Sequence, residues 1–166
     1  GSVELPWHVR TGLSYTPSAR WMLVVDGAYA PWSQFESTFS GAPPGPSRFP
    51  VGGSELLTDR WRASAGLEFL PAGRDALAPY FQRTAYRLGG YYEQSYVAPV
   101  SGEPITVRAV TAGLSLPTSL SGTRLDVNFE VGVRGTTRQD LVRDVFYGVS
   151  FNVNIGERWF QERKLR

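Results

Sequence analysis

Three stretches of the chain place two aromatic residues eight positions apart on the same period-2 face: Trp7 and Tyr15, Trp21 and Tyr29, Trp61 and Phe69. Between them on that face stand Val9, Thr11 and Leu13, then Leu23, Val25 and Gly27, then Ala63, Ala65 and Leu67. Alternation of this kind is the signature of a strand with one apolar face. At about 3.3 Å per residue, eight steps cover about 26 Å, and a strand tilt near 40° reduces the height to roughly 20 Å. That approaches the apolar band of an outer-membrane barrel. The six rings then stand as girdles at its two water interfaces, where an amphipathic ring is best placed.

Seven such segments are predicted, at 7–15, 20–32, 58–70, 80–96, 106–116, 124–134 and 144–155, each bounded by Gly, Pro, Ser or Asp. None of useful length has helical periodicity. The sixth and seventh alternate most cleanly, with Leu125, Val127, Phe129, Val131 and Val133, then Val145, Tyr147, Val149, Phe151, Val153 and Ile155 on one side. Arg124, Asp126, Asn128 and Glu130, then Asp144, Gly148, Ser150, Asn152 and Asn154, lie on the other. A change of parity near Arg108 predicts a bulge in the fifth segment, and Gly89-Gly90 reads as a bend or bulge in the fourth.

Connections at 16–19, 71–78 and 117–123 are short or moderate, whereas 33–57 is a long loop rich in Pro, Gly and Ser; 97–105 and 135–143 go with the longer set. Barrels of the outer membrane alternate short periplasmic turns with longer extracellular loops. On that reading Trp7, Tyr29 and Trp61 lie at the outer interface and Tyr15, Trp21 and Phe69 at the periplasmic one. The 33–57 loop is extracellular and 157–166 is a periplasmic tail. Seven strands with an outside start do not make a complete barrel of even strand number, and unpaired edges cannot face lipid. The expected fold is therefore all-β: one antiparallel transmembrane wall over 1–166, the C-terminal part of a larger barrel. Gly1-Ser2 leads straight into a strand-like segment, so either a leader has been removed or the chain begins within something larger.

Composition fits this picture. Hydrophobic residues make up 42% of the chain, the net charge is +2, and the mean hydropathy is −0.22, as expected when only every second residue faces lipid. The mild, dispersed charge argues against nucleic acid. With no cysteine, disulfides, thiolate catalysis and Cys-based zinc sites are excluded.

The polar face carries His8, Arg10, Ser14, Asp26, Arg60, Arg62, Ser64, Glu68, Arg87, Tyr91 and Glu93. The ordinary reading is a lumen wall of mutually paired ions, since buried charges must be paired. The sharper one has Arg10, Arg60, Arg62 and Arg87, with Glu68 and Glu93, meeting an anionic headgroup such as a carboxylate. Catalysis has little support. His8 is the sole histidine, Asp126 and Glu130 are about 13 Å apart along a strand, and neither a metal-ligand cluster nor a phosphate loop is present. No enzyme activity, metal or cofactor is expected.

The run Tyr86-Arg87-Leu88-Gly89-Gly90-Tyr91-Tyr92, the opening Leu5-Pro6-Trp7, Gly113-Leu114-Ser115-Leu116-Pro117, Arg134-Gly135-Thr136-Thr137 and the closing Glu157-Arg158-Trp159-Phe160 resemble, in that order, the C-terminal half of FadL-type outer-membrane transporters. The likeness is nearest to versions found in Bacteroidetes-like bacteria. It implies a 14-stranded barrel with an N-terminal plug, for passive uptake of long-chain fatty acids or other hydrophobic compounds, of which this chain is the second half. The plug and first wall half have no counterpart in these residues, so no binding residue carries over.

Three functions follow as expectations. One is passive uptake of hydrophobic small molecules through an integral outer-membrane barrel, with lipid, the ligand and further strands as partners. Another is an anchoring subunit of a larger envelope assembly. The last is a soluble, lipocalin-like barrel, which predicts the Trp/Tyr face turned inward and the Arg/Asp/Asn face in bulk water.

Overall fold

In the computed structural model, which describes residues 2–38, 56–98, 103–120, 122–138 and 141–156, the chain is all-β around one antiparallel sheet. Its elements are β1 (Ser2–Glu4), β2 (Val9–Ser18), β3 (Trp21–Ala30), a 3-10 turn (Trp32–Gln34), β4 (Glu36–Thr38), β5 (Leu56–Leu57) and β6 (Arg60–Phe69). There follow α1 (Tyr80–Arg83), β7 (Ala85–Gln94), β8 (Val97–Ala98), β9 (Thr106–Pro117), β10 (Arg124–Gly135) and β11 (Arg143–Asn154). Seven long strands form the sheet in the order β11-β10-β9-β7-β6-β3-β2, each beside its predecessor among them. The sheet is not closed, and β2 and β11 are its edges. Each of the seven expected segments overlaps one of these strands, but β2 runs on to Ser18, through most of the expected 16–19 turn.

Alternation decides which residues point where. Odd positions of β2, β3, β6, β10 and β11 and even positions of β7 and β9 share one face; the register pairs Leu13 with Val25, Val25 with Ala65, and Val127 with Phe151. This apolar face is uncovered: Leu13 is 71% and Tyr147 86% exposed. The opposite, polar face is the more enclosed one, with Ser115 at 0% and Asp126 at 7%. Burial is thus inverted relative to a water-soluble sheet, whose apolar face packs on a core.

The structure departs from the sequence reading at several places. Segment 80–96 does not begin as a strand: Pro79 opens the single helical turn of α1, and β7 starts at Ala85. The connection on that side, 70–84, is therefore longer than expected, and the alternation of long and short connections is imperfect. No bulge exists near Arg108, because β9 runs in unbroken register against β7 and β10. Arg108 lies on the apolar face at its end, opposite Tyr92 and Val133, and is exposed, a place where a long cationic side chain is tolerated. The register shift falls instead in β2, between Tyr15 and Ser18, around Pro17, which has no N–H for the ladder.

Gly89 and Gly90 likewise sit in continuous ladders. They allow close approach, since a Cβ on Gly89 would lie 3.0 Å from the Ala65 carbonyl oxygen. A sharper case is Gly132, opposite Phe146 on the polar face: a Cβ there would overlap the Phe146 ring, so only glycine lets the ring lie over the strand.

The small pairs β1–β4 and β5–β8 stand at the end of the sheet reached by Trp7, Tyr29, Trp61 and Tyr92, and α1 at the other. Most of the expected 33–57 loop and all of the 157–166 tail lie outside the described residues. No described helix is long and apolar enough to cross a membrane.

Candidate functional site

The apolar face ends in two rows of rings. At one end Trp7 meets Tyr29 with centroids 5.6 Å apart, Tyr29 pairs across the ladder with Trp61, and Trp61 stacks on Tyr92 at 4.9 Å. At the other, Trp21 stacks on Phe69 at 4.3 Å, Phe69 pairs with Tyr86, and Tyr15 lies next to this row opposite Leu23. The six aromatics singled out by spacing thus fall on one face in two groups of three. Tyr86 and Tyr92, on the fourth long strand, extend both rows.

On the polar face, register brings the charged residues together. Arg87 lies between Glu68 and Asp126, its Nε donating to Glu68 at 2.7 Å and its Nη1 to Asp126 at 3.2 Å. Asn154 donates to the same Asp126 carboxylate at 2.7 Å, and Tyr91 donates its hydroxyl hydrogen to Glu130 at 2.6 Å. Arg124 donates to the Ser115 hydroxyl and carbonyl and to the Arg83 carbonyl. These bonds cross-brace β6, β7, β9, β10 and β11 in the way expected of a wall of paired ions.

A second cluster occupies the ring-row end. Arg60 and Arg62 both contact Glu93, at 2.8 and 3.1 Å, and the Arg62 guanidinium lies 3.9 Å above the Tyr91 ring. Arg10 stands in the same row as Arg62, separated by Ala28; Arg60 stands one row away, beside Ala30. His8, Arg10, Ala28, Ala30, Arg60 and Arg62 line a cavity of about 380 Å³, together with Pro6, Val9, Tyr29 and Trp32. Among the described residues the Arg10 side chain has no hydrogen-bond or ion-pair partner.

Beside this cavity, Asp59 ties the connection after β3 to the sheet. It accepts from the Ser33 hydroxyl, the Ser33 N–H at 3.2 Å and the Tyr29 hydroxyl. The Ser33 hydroxyl bond, then that of Tyr29, holds the Asp59 carboxyl below its usual range, against the opposing effect of desolvation. Trp32 stacks on Tyr96 at 4.6 Å, joining this connection to the one after β7.

Of the candidate ligand residues, the structure brings Arg10, Arg60, Arg62 and Glu93 to one place and puts Arg87 and Glu68 in another. His8, Ser14 and Asp26 do not converge: His8 and Ser14 are six positions apart along β2 and its approach, roughly 20 Å. Among the described residues no group of His, Asp or Glu is placed to hold a metal. Sequence reasoning missed the Asp59–Ser33–Tyr29 clamp and the roles of Arg124 and Ser115. It also missed the Ala28–Ala30 floor, which only the pairing register reveals.

No curated protein and no solved structure matches the chain. A family model does, over residues 1–166, and by that match the chain belongs to the BamG family.

Proposed function

We propose that this chain forms part of the wall of an outer-membrane β-barrel that serves as an anchoring subunit of a larger envelope assembly. The inverted burial carries the reading: the apolar face lies open between two aromatic rows, while over the central strands β6, β7, β9 and β10 the polar face is the more enclosed one and carries the ion pairs. Strands of 10 to 12 residues suit a bilayer, which a tilted strand crosses in about 9–11 residues. A soluble lipocalin-like barrel calls for the opposite exposure of the two faces. The family name hints at a barrel-assembly component, in keeping with a subunit role.

Strand parity supports the need for partners. In a seven-stranded antiparallel sheet the two edges, β2 and β11, run in the same direction. Pairing them directly, or with the edges of a second identical segment, would make a parallel seam. All-antiparallel closure needs an odd number of further strands, such as the seven of a FadL-like first half. Open backbone edges are not tolerated in lipid.

Photo-cross-linking from the edges in intact envelopes tests this reading. Photoreactive residues at Thr11 in β2 and Ser150 in β11 are expected to capture strands outside the described sheet, in a protein released only by detergent. A monodisperse segment that stays soluble without detergent and gives no adduct contradicts it.

Passive uptake of a hydrophobic molecule, the activity the FadL resemblance implies, is the second reading. The cavity at Arg10, Arg60 and Arg62 favours it, because a headgroup site is what such a path would need. The rest of the polar face offers braced ions rather than an apolar path.

A further inference from the structure

We propose that the cavity at the α1 end of the sheet is a docking site for an acidic segment of a periplasmic polypeptide, one that carries neighbouring Asp or Glu residues beside apolar ones. This goes beyond the anchoring role and rests on that reading only for the compartment, since the shorter turns of an outer-membrane wall face the periplasm.

Two connections build the site. The one between β6 and β7 brings Arg74, Asp75 and Arg83, and the turn between β9 and β10 brings Pro117 and Arg124, around a cavity of about 260 Å³. The 70–84 wall is fastened by its own backbone: the Ala72 N–H donates to the Gln82 carbonyl at 2.7 Å, the Asp75 N–H to the Ala72 carbonyl at 3.1 Å, and the Leu77 N–H to the Asp75 carboxylate at 2.9 Å. Arg124 ties it to the sheet by donating to the Arg83 carbonyl at 3.1 Å. Pro117 and Arg124 pair across the ladder on the polar face, so the cavity lies on that side of the sheet and the proposed lipid face on the other. Small-molecule sites usually enclose about 300–1,000 Å³; this smaller one suits the ends of side chains.

Charge at this end is unbalanced among the described residues. Arg20, beside Gly73 of the cavity wall, and Arg74, Arg83, Arg87 and Arg124 stand against Glu68, Asp75 and Asp126. Arg87 engages both Glu68 and Asp126, which leaves Asp75 alone beside the other four arginines. Arg124 is held by Ser115 and the Arg83 carbonyl, whereas the Arg83 guanidinium meets no acceptor among the described residues and its Nε is enclosed without one. Folded proteins rarely leave an enclosed donor so, and a carboxylate entering the cavity gives the guanidinium the paired acceptors it lacks. On the same two connections Leu77 is 95%, Phe81 75% and Leu120 70% exposed. Cations flanked by open apolar side chains match a peptide that is both acidic and apolar; a free anion would leave the apolar ones uncovered.

Photo-cross-linking in intact envelopes of cells making the full protein tests the proposal, with the photoreactive residue placed in turn at Leu77 and Leu120 and the adducts read by peptide mass spectrometry. Each position is expected to capture a polypeptide segment with neighbouring Asp or Glu residues at the point of attachment. Arg83→Gln is expected to lower capture about tenfold, the worth of one charge-assisted contact, and Arg83→Lys to lower it less. Arg74→Gln combined with Arg83→Gln is expected to abolish it, and Arg138→Gln, at the opposite end of the sheet, to leave it unchanged. The Thr11 and Ser150 adducts, collected from the same variants, report assembly of the wall separately. Capture of lipid alone, capture of a segment without acidic residues, or undiminished capture in the doubly substituted protein overturns the proposal. So does the absence of adducts at Leu77 and Leu120 while Thr11 and Ser150 still give theirs.

Discussion

Single residues on the polar face decide how the sheet holds together from within. Arg87 bridges two carboxylates, Glu68 and Asp126, the second largely enclosed. Arg87→Ala leaves both without their cation and is expected to cost about 2–3 kcal/mol, read as a lower unfolding midpoint in denaturant. Glu68→Gln, which keeps a hydrogen-bond acceptor and leaves Arg87 its bond to Asp126, is expected to cost less. Gly132 has no room for a side chain under Phe146, so Gly132→Val is expected to destabilise by about 1–3 kcal/mol. Adding Phe146→Ala should recover part of that loss; no recovery would place the strain elsewhere. Sequence gave Arg87 and Glu68 their face but not their bond, because which ions meet depends on pairing register between strands.

At the scale of elements, alternation was enough to locate the seven long strands. It failed where local and tertiary effects compete. Arg108 breaks the hydrophobic pattern without breaking the strand, because a long cationic side chain is tolerated at the exposed end of an apolar face. Tyr80 and Phe81 fit a strand pattern, yet Pro79 presets a turn and they enter one turn of helix. The Asp59 clamp was not legible, since Ser33 and Asp59 are joined across a connection whose path the pattern does not specify. Its pH dependence follows from the lowered carboxyl pKa. A carboxyl held below its unfolded value stabilises the folded form above the ordinary carboxylate range, about 3.9. That contribution disappears as pH falls through the lower folded value. Hydrogen exchange at the Ser33 amide should therefore lose protection on acidification below about pH 4, after correction for the intrinsic rate. Asp59→Asn should remove the acid step, and an unchanged step in that variant would assign it to another group.

For the whole molecule, the central claim is that the face bearing Leu13, Val25, Val127 and Phe151 meets lipid, while the face bearing Ser14, Asp26, Asn128 and Asn152 meets water. Paired aromatics eight residues apart pointed to this before the register was known, and the two ring rows give the spacing a physical form. The family match adds membership and not a side of the sheet, so the claim needs its own measurement. A chain without cysteine makes that direct. Single cysteines are placed in turn at Leu13 and Ser14, Val127 and Asn128, and Phe151 and Asn152, in the full protein in its native envelope, and are exposed to a membrane-impermeant thiol reagent. The account predicts labelling at Ser14, Asn128 and Asn152 and protection at Leu13, Val127 and Phe151; equal labelling of both sets, or the reverse pattern, contradicts it.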